Sequence, residues 1–347
     1  MVCKTVIGGS IAPKPPRPVL DRRCGREHNL CVIGVPSALV AGLLLISASG
    51  LKVFGAAASK PAPKAAVERP PIVGVAHIGL KTDNLAAARE FYGRVLGFQE
   101  PVTVDRPTGE PFLTYFKVND HQYIEVYENL RSPAEDRLSN IAFETTDAAR
   151  LYDYLAGRGV VLPVEIKPGL GNLEFMVKDP DGHQVIFVQY LPTSKLGRNF
   201  GKLLPSTRIS QHIIHVGVTV HDRAAADRFY KDILGFRVMW YGGMKDDRTD
   251  WVDMRVPEGT DWLEYMLNVN NPSPKTLGVM HHVALGVTSV QEAFKTVTER
   301  GYKAEPPKIG RDGKWQLNLY DPNLTRVEIM EFKPVQTPCC SPMMTVP

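Results

Sequence analysis

The sequence predicts an α+β protein made of four βαβββ modules, and three observations carry that prediction. First, HIGLKTDNLAAAREFYGRVLGF (77 to 98) matches HVGVTVHDRAAADRFYKDILGF (215 to 236) in the His, the Gly, three Ala, Phe-Tyr and Leu-Gly-Phe. Second, NIAFETTD (140 to 147) aligns with HVALGVTS (282 to 289), and DPDGHQVI (179 to 186) with DPNLTRVE (321 to 328). Third, every unit runs in one order: an alternating strand, an Asp, Asn or Ser helix cap, a helix with apolar residues at i, i+3, i+4 and i+7, a Gly stop, and three further strands.

The amino-terminal segment, residues 1–71, stands apart. Arg17, Arg22, Arg23 and Arg26 precede an uncharged run from Leu30 to Leu51, which ends near the small residues Gly55 to Ala58. That order reads as a signal peptide cleaved close to Ala58, with an uncleaved membrane anchor as the alternative, since about 20 apolar residues span a bilayer. Either outcome places the rest of the chain outside the cytoplasm, because basic residues before an apolar run stay inside. A Pro/Ala linker, SKPAPKAAVERPP, leads into the folded part.

The first domain is expected over residues 72–191. In its first module the helix buries Leu85, Ala88, Phe91, Tyr92 and Val95, and Gly97 ends it. In its second module, VLPVEIK, LEFMVKD and HQVIFVQY read as strands, the last entered through the Asp179-Pro-Asp-Gly turn. Residues 192–209 read as a linker, 210–334 as the second domain, and 335–347 as a tail.

Composition narrows the function. The formal net charge of +4 is small and its Lys and Arg are scattered, so no nucleic-acid partner is implied. Five cysteines, at 3, 24, 31, 339 and 340, lie outside the predicted modules, so disulfides do not build the fold. Cys339-Cys340 is expected in a tail without function, with a vicinal disulfide, an interchain link or a metal site as alternatives.

The chemistry-bearing residues sit in MHHVALGV and YDPNLTRVEIMEF. By alternation His282 shares a face with Ala284 and Gly286, and Glu328 with Arg326 and Met330. His215 and Glu264 are a similar pair in the preceding module. Two neutral imidazoles and two carboxylates would neutralise one divalent cation.

The His-hydrophobic-Gly or His-hydrophobic-Ala first strands, the FY..LGF after the helix and the DP(D/N) before the last strand resemble the vicinal oxygen chelate superfamily over residues 72 to 334. That superfamily includes glyoxalase I, extradiol dioxygenases and bleomycin resistance proteins. The resemblance implies two tandem domains with cup-shaped mixed β-sheets, metal ligands coming from the first and last strands of each module. The first-strand positions are His77, Asn140, His215 and His282, and the last-strand positions Glu125, Ile186, Glu264 and Glu328. Asn140 and Ile186 depart from the pattern, so one site is complete and the other degenerate. If neighbouring modules pair, the complete site is His215, Glu264, His282 and Glu328. If outer and inner modules pair, it is His77, Glu125, His282 and Glu328. Neighbour pairing is favoured, because a long interdomain linker suits two self-contained cups.

The resemblance implies a divalent metal ion, iron, manganese, nickel, zinc or cobalt, and a small substrate chelating it through vicinal oxygens. By similarity to glyoxalase I, Glu328 is the expected catalytic base of lyase or isomerase chemistry. An extradiol-type iron(II) dioxygenase would instead use His215, His282 and Glu328, and a bound Glu264 would fill the position that oxygen needs. GKWQLNLYDPN also lacks the His such enzymes place there. A metal-free binding protein of the resistance type is the third reading. Export disfavours glutathione adducts as substrates.

Other candidates receive plainer readings. His121, His183, His212, His221 and His281 are taken as structural. Trp251, Trp262, Tyr265 and Met266 are taken as core, and Arg248, Arg255, Arg311 and Lys314 as solvated loop charge.

Overall fold

The computed structural model describes residues 67–344, so the amino-terminal apolar run and its expected cleavage or anchoring lie outside the described residues. No helix among the described residues is long and apolar enough to cross a membrane. Within them the βαβββ order recurs four times, and the strands form two eight-stranded sheets.

The first sheet holds β1 (Ile72–Thr82), β2 (Thr103–Asp105), β3 (Pro111–Lys117), β4 (Tyr123–Glu128), β5 (Leu138–Thr145), β6 (Lys167–Gly169), β7 (Asn172–Lys178) and β8 (Gln184–Gln189). The second holds β9 (Ile213–Thr219), β10 (Arg237–Gly242), β11 (Trp251–Arg255), β12 (Trp262–Met266), β13 (His282–Val287), β14 (Lys308–Ile309), β15 (Trp315–Tyr320) and β16 (Arg326–Glu331). Their orders are β2-β3-β4-β1-β5-β8-β7-β6 and β10-β11-β12-β9-β13-β16-β15-β14. Two modules meet where their first strands pair antiparallel, β1 with β5 and β9 with β13, and each last strand runs parallel to its own first strand. Neighbouring modules therefore share a sheet.

The helices follow a different rule. Phe91 of the first module packs on Tyr302 of the fourth, ring centroids 5.6 Å apart, and Arg300 donates to the Val95 carbonyl at 2.7 Å. Tyr154 of the second module donates to the carbonyl of Ile233 in the third at 2.7 Å. Strands pair with neighbours while helices pair across the duplication, first with fourth and second with third. One continuous core results, containing Phe91, Tyr154, Phe229 and Val297 together.

This crossing explains two of the repeated motifs. The Tyr of Phe-Tyr is fully buried, and a buried hydroxyl needs a partner. Tyr92 donates to Asp321 and Tyr230 to Asp179, each at 3.0 Å, and each Asp opens the Asp-Pro turn of the cross-paired module. Those Asp carboxylates also accept from backbone N–H groups of their own turns, Asp321 from Asn323 and Thr325, Asp179 from Asp181 and His183.

Three local differences from expectation have physical causes. The first and third helices begin as α (Leu85–Ala88, Arg223–Ala226) and continue as π-helices, Arg89–Val95 and Asp227–Ile233. The wider turn leaves the adjacent Phe91 and Tyr92 both buried. VLPVEIK is not a strand before Lys167; Pro163 removes a ladder donor there, and Val161 and Val164 stand exposed. The segment between the domains is no free tether. Lys195 N–H bonds to Leu170 O at 2.9 Å, Lys117 Nζ caps the carbonyls of Asn199 and Lys202, and Leu196 is buried among Leu113, Tyr115 and Tyr123.

Candidate metal centre

The second sheet brings His215 from β9, Glu264 from β12, His282 from β13 and Glu328 from β16 onto one concave face. The register does this directly: Glu264 pairs with Gly217, His282 with the same Gly217, and Ala284 lies between His215 and Glu328. Gly217 has a steric reason. A Cβ there would lie 2.1 Å from the His282 ring, so the Gly two residues after His215 makes room for the next module's imidazole. In the first sheet Asn140 lies over Gly79 in the same way, 2.4 Å from the Cβ position.

The donor atoms converge. The two imidazole Nε2 atoms are 3.0 Å apart, and Glu264 Oε2 lies 3.2 Å from His282 Nε2 and 3.8 Å from His215 Nε2. Glu328 Oε2 lies 3.5 Å from His215 Nε2 and 3.6 Å from His282 Nε2. The ligand atoms of His215, His282 and Glu328 all lie within 4.8 Å of one another. With metal–ligand bonds near 2.1 Å, neighbouring donors stand about 3.0 Å apart in an octahedron and about 3.4 Å apart in a tetrahedron. His282 Nδ1 faces the Met280 carbonyl at 2.9 Å, which turns Nε2 toward the cluster.

Arg326, two residues before Glu328 on the same face, reaches the same point. Its guanidinium lies 2.8 Å from His282 Nε2 and 4.0 Å from both carboxylates. Burial, then the Arg326 charge, lowers the His282 pKa to about 4, so the ring is neutral at pH 7. Burial pushes Glu328 upward, but Arg326 and the imidazoles outweigh it and hold its pKa at about 2. Glu264 is likewise lowered, His282 and His215 overcoming its burial. One guanidinium against two carboxylates leaves a buried negative charge unbalanced, and Glu264 Oε2 has no hydrogen-bond donor. The donor set fits a divalent cation.

Above the cluster lies a cavity of about 500 Å³, walled by Trp240, Trp251, Trp262, Met266 and Met280 among others. Trp251, Trp262 and Met266 line this cup; Trp262 and Met266 are also buried, as the core reading expects, and Tyr265 lies in the main core. Lys314 corrects the expectation of loop charge: it is buried, 4.5 Å above the Trp262 ring and 3.6 Å from Asp312. Arg311 also lines the cup, whereas Arg248 pairs with Asp250 at 2.7 Å and Arg255 donates to Gly259 O. Asp253, opposite Glu264 on β11, was missed; burial first and Glu264 second raise its pKa far above the usual carboxylate range. Its alternation within WVDMR was the available signal.

The outer-with-inner alternative is corrected. His77 and Glu125 lie in the first sheet, 3.5 Å from each other, and do not join His282 and Glu328. Around them are Asn140, the neutral Ile186 and the hydroxyl of Tyr127, which donates to Glu125 at 2.8 Å. The plainly read histidines all have partners: His183 with Asp179, His212 with Asp261, His121 with Glu144, His221 with Asp181, and His281 with Thr219 and Asp136.

A curled sheet of two βαβββ modules, with imidazoles and carboxylates gathered on its concave face, defines the fold of a metal-dependent vicinal oxygen chelate enzyme. The chain belongs to the Glyoxalase/Bleomycin resistance protein/Dioxygenase superfamily, whose family model matches residues 74–187 and 212–329. No curated protein matches it. Among solved structures it resembles the 2,3-dioxygenase LapB from Pseudomonas sp. KL28, with 16% identity, TM-score 0.58, and 77% of this chain and 98% of that one covered. It also resembles a mutant homoprotocatechuate 2,3-dioxygenase from Brevibacterium fuscum, with 20% identity, TM-score 0.57 and coverage of 77% and 74%. The homoprotocatechuate 2,3-dioxygenase of Arthrobacter globiformis gives 20%, 0.56, and 76% and 81%. These likenesses show the fold.

Proposed function

We propose that the second domain is an exported enzyme that binds one divalent metal ion through His215, Glu264, His282 and Glu328 and moves a proton on a small substrate held through two adjacent oxygens. The observation that carries this reading is the fourth donor: Glu264 Oε2 comes within 3.2 and 3.8 Å of the two imidazoles. When bound, the cation supplies Lewis-acid polarisation of a substrate oxygen. The chain's residues do the rest. The His282 imidazole, neutral at pH 7, turns Nε2 toward the cluster, and Arg326 keeps Glu328 anionic, so that Oε2 carries no proton and can accept one. Arg326 also stands where negative charge on a substrate oxygen would be met, and the tryptophan walls exclude water.

The test uses the purified chain loaded in turn with iron(II), nickel(II) and zinc(II), and a panel of α-hydroxyketones in deuterated water. Deuterium entering the carbon beside the carbonyl, lost in Glu328→Gln, is expected; exchange no faster than in buffer with every metal rejects the reading. A second reading, an extradiol-type dioxygenase, is favoured by the His215-His282-Glu328 triad, which could hold a metal, and by the dioxygenases among the structural neighbours. Oxygen uptake with catechols by the iron(II) form would select it.

A further inference from the structure

The carboxy-terminal segment is not an idle tail. Beyond the family match it bonds to the chain at both free edges of the curled sheet. At the β14 side, Val335 and Gln336 N–H bond to Gly313 O at 2.8 and 3.2 Å, and Cys339 N–H to Arg311 O at 2.9 Å. At β10, Ser341 Oγ accepts from Tyr241 N–H and donates to Tyr241 O, and Met344 N–H bonds to Met239 O at 2.8 Å. Between these anchor points Cys339 and Cys340 are joined as a disulfide. The Cys339 carbonyl accepts from Trp240 Nε1 at 3.3 Å, and the Arg311 guanidinium lies 3.7 Å from Cys340 Sγ while pairing with Asp246. Trp240 and Arg311 are walls of the cup.

The geometry points to Cys339-Cys340 as a thiol–disulfide site that fastens this strap between the two edges of the cup and releases it on reduction by a dithiol. Cys340 has φ of 69°, a left-handed conformation that a residue with a Cβ adopts at a cost of about 1–2 kcal/mol. The eight-membered ring formed by adjacent bridged cysteines ties the two side chains together and holds that turn. The turn in turn sets the register of Cys339 O and Ser341. Cys340 is exposed, so a reagent reaches it, and Arg311 beside it favours a thiolate leaving group. A dithiol's thiolate attacks one sulfur, the chain's S–S bond breaks, and the reagent's second thiol resolves the mixed disulfide. The reagent ends as a disulfide, and two electrons and two protons end on Cys339 and Cys340. The unbridged turn then relaxes from left-handed geometry and the bonds to Trp240 and Tyr241 weaken. This inference is independent of whether the cup takes a metal.

The test is hydrogen exchange on the full chain, read at the amides of Cys339 and Met344, with acrylamide quenching of tryptophan as a second readout. The mass of the proteolytic peptide containing both cysteines reports their oxidation state. Oxidised wild type should be protected, and a dithiol should speed exchange about tenfold, the factor a left-handed non-glycine residue is worth. Cys339→Ser with Cys340→Ser should exchange fast whatever the redox state. Cys339→Ser with Cys340→Gly should be slow in both, because glycine takes the turn without the bridge. Overturning results are free thiols at both positions after air oxidation, wild-type exchange unmoved by reduction, or a double serine variant as protected as the oxidised protein.

Discussion

The two cups descend from one repeated pattern, yet one is filled and the other is open. In the first, Leu196 from the interdomain segment sits with Leu113, Tyr115 and Tyr123, backed by Phe112, Tyr127 and Tyr190. In the second, the corresponding space is a cavity of about 500 Å³ reaching the metal ligands. His77 and Glu125 remain close in the filled cup, but Asn140 and Ile186 stand where the other two donors would be. The first cup thus differs from the second in two ways together: two of the four donor types are absent, and apolar side chains occupy the volume. Each cup also has a segment from outside its modules bonded to it, the interdomain stretch at one and the carboxy-terminal segment at the edges of the other.

The sharpest way to break this comparison is to remove one imidazole from each cup. His282→Ala should reduce stoichiometric metal to background by elemental analysis, whereas His77→Ala should leave it unchanged; equal loss in both would mean that the cups are not distinct. Next in size is Leu196→Ala, which opens a hole in the filled cup. It should lower stability by about 2–4 kcal/mol in chemical denaturation without altering metal content. Tyr92→Phe and Tyr230→Phe remove the two crossed hydrogen bonds to buried carboxylates. Each should cost about 1–2 kcal/mol, and equal losses would show that the two halves support each other equally.

An effect of comparable size is expected at Glu174 on β7, whose pKa is pushed up to about 7 by burial first and Glu125 second. A folded-state value above the usual 4.5 means that the folded chain binds the proton more tightly. Stability therefore falls as pH rises from about 4.5 to 7, and the loss persists above that. Glu174→Gln should remove this slope and gain about 1–3 kcal/mol at pH 8. An unchanged pH profile would place the Glu174 carboxyl in solvent rather than in the filled cup.

Much of this was legible in the sequence because repetition is visible without coordinates. The module order and the helix faces follow from alternation, whereas His215, Glu264, His282 and Glu328 were picked out by the positions that the vicinal oxygen chelate resemblance implies, with the pairing of modules left open. Arg326 was visible as a neighbour of Glu328 on the same face, but nothing in the spacing says how far a long side chain reaches. The filling of the first cup was hidden, because Leu196 belongs to a stretch that reads as a tether. Lys314 and Asp312 look like ordinary turn charges, and only the fold shows them buried, Lys314 against the Trp262 ring and Asp312 beside it. Cys339-Cys340 could be bridged, linked or idle by sequence, and the edges they touch are set by the fold.

The crossed layer of helices has a consequence for dissecting this protein. A chain cut between the duplicated halves would leave the open cup's ligands intact on paper. It would also strip Asp321 of Tyr92, take the Phe91 ring from Tyr302, and unseat the Arg300 side chain from Val95. The half without a complete donor set thus serves as the scaffold for the half that has one. Expression of either alone should yield sticky, poorly soluble material rather than a smaller working enzyme.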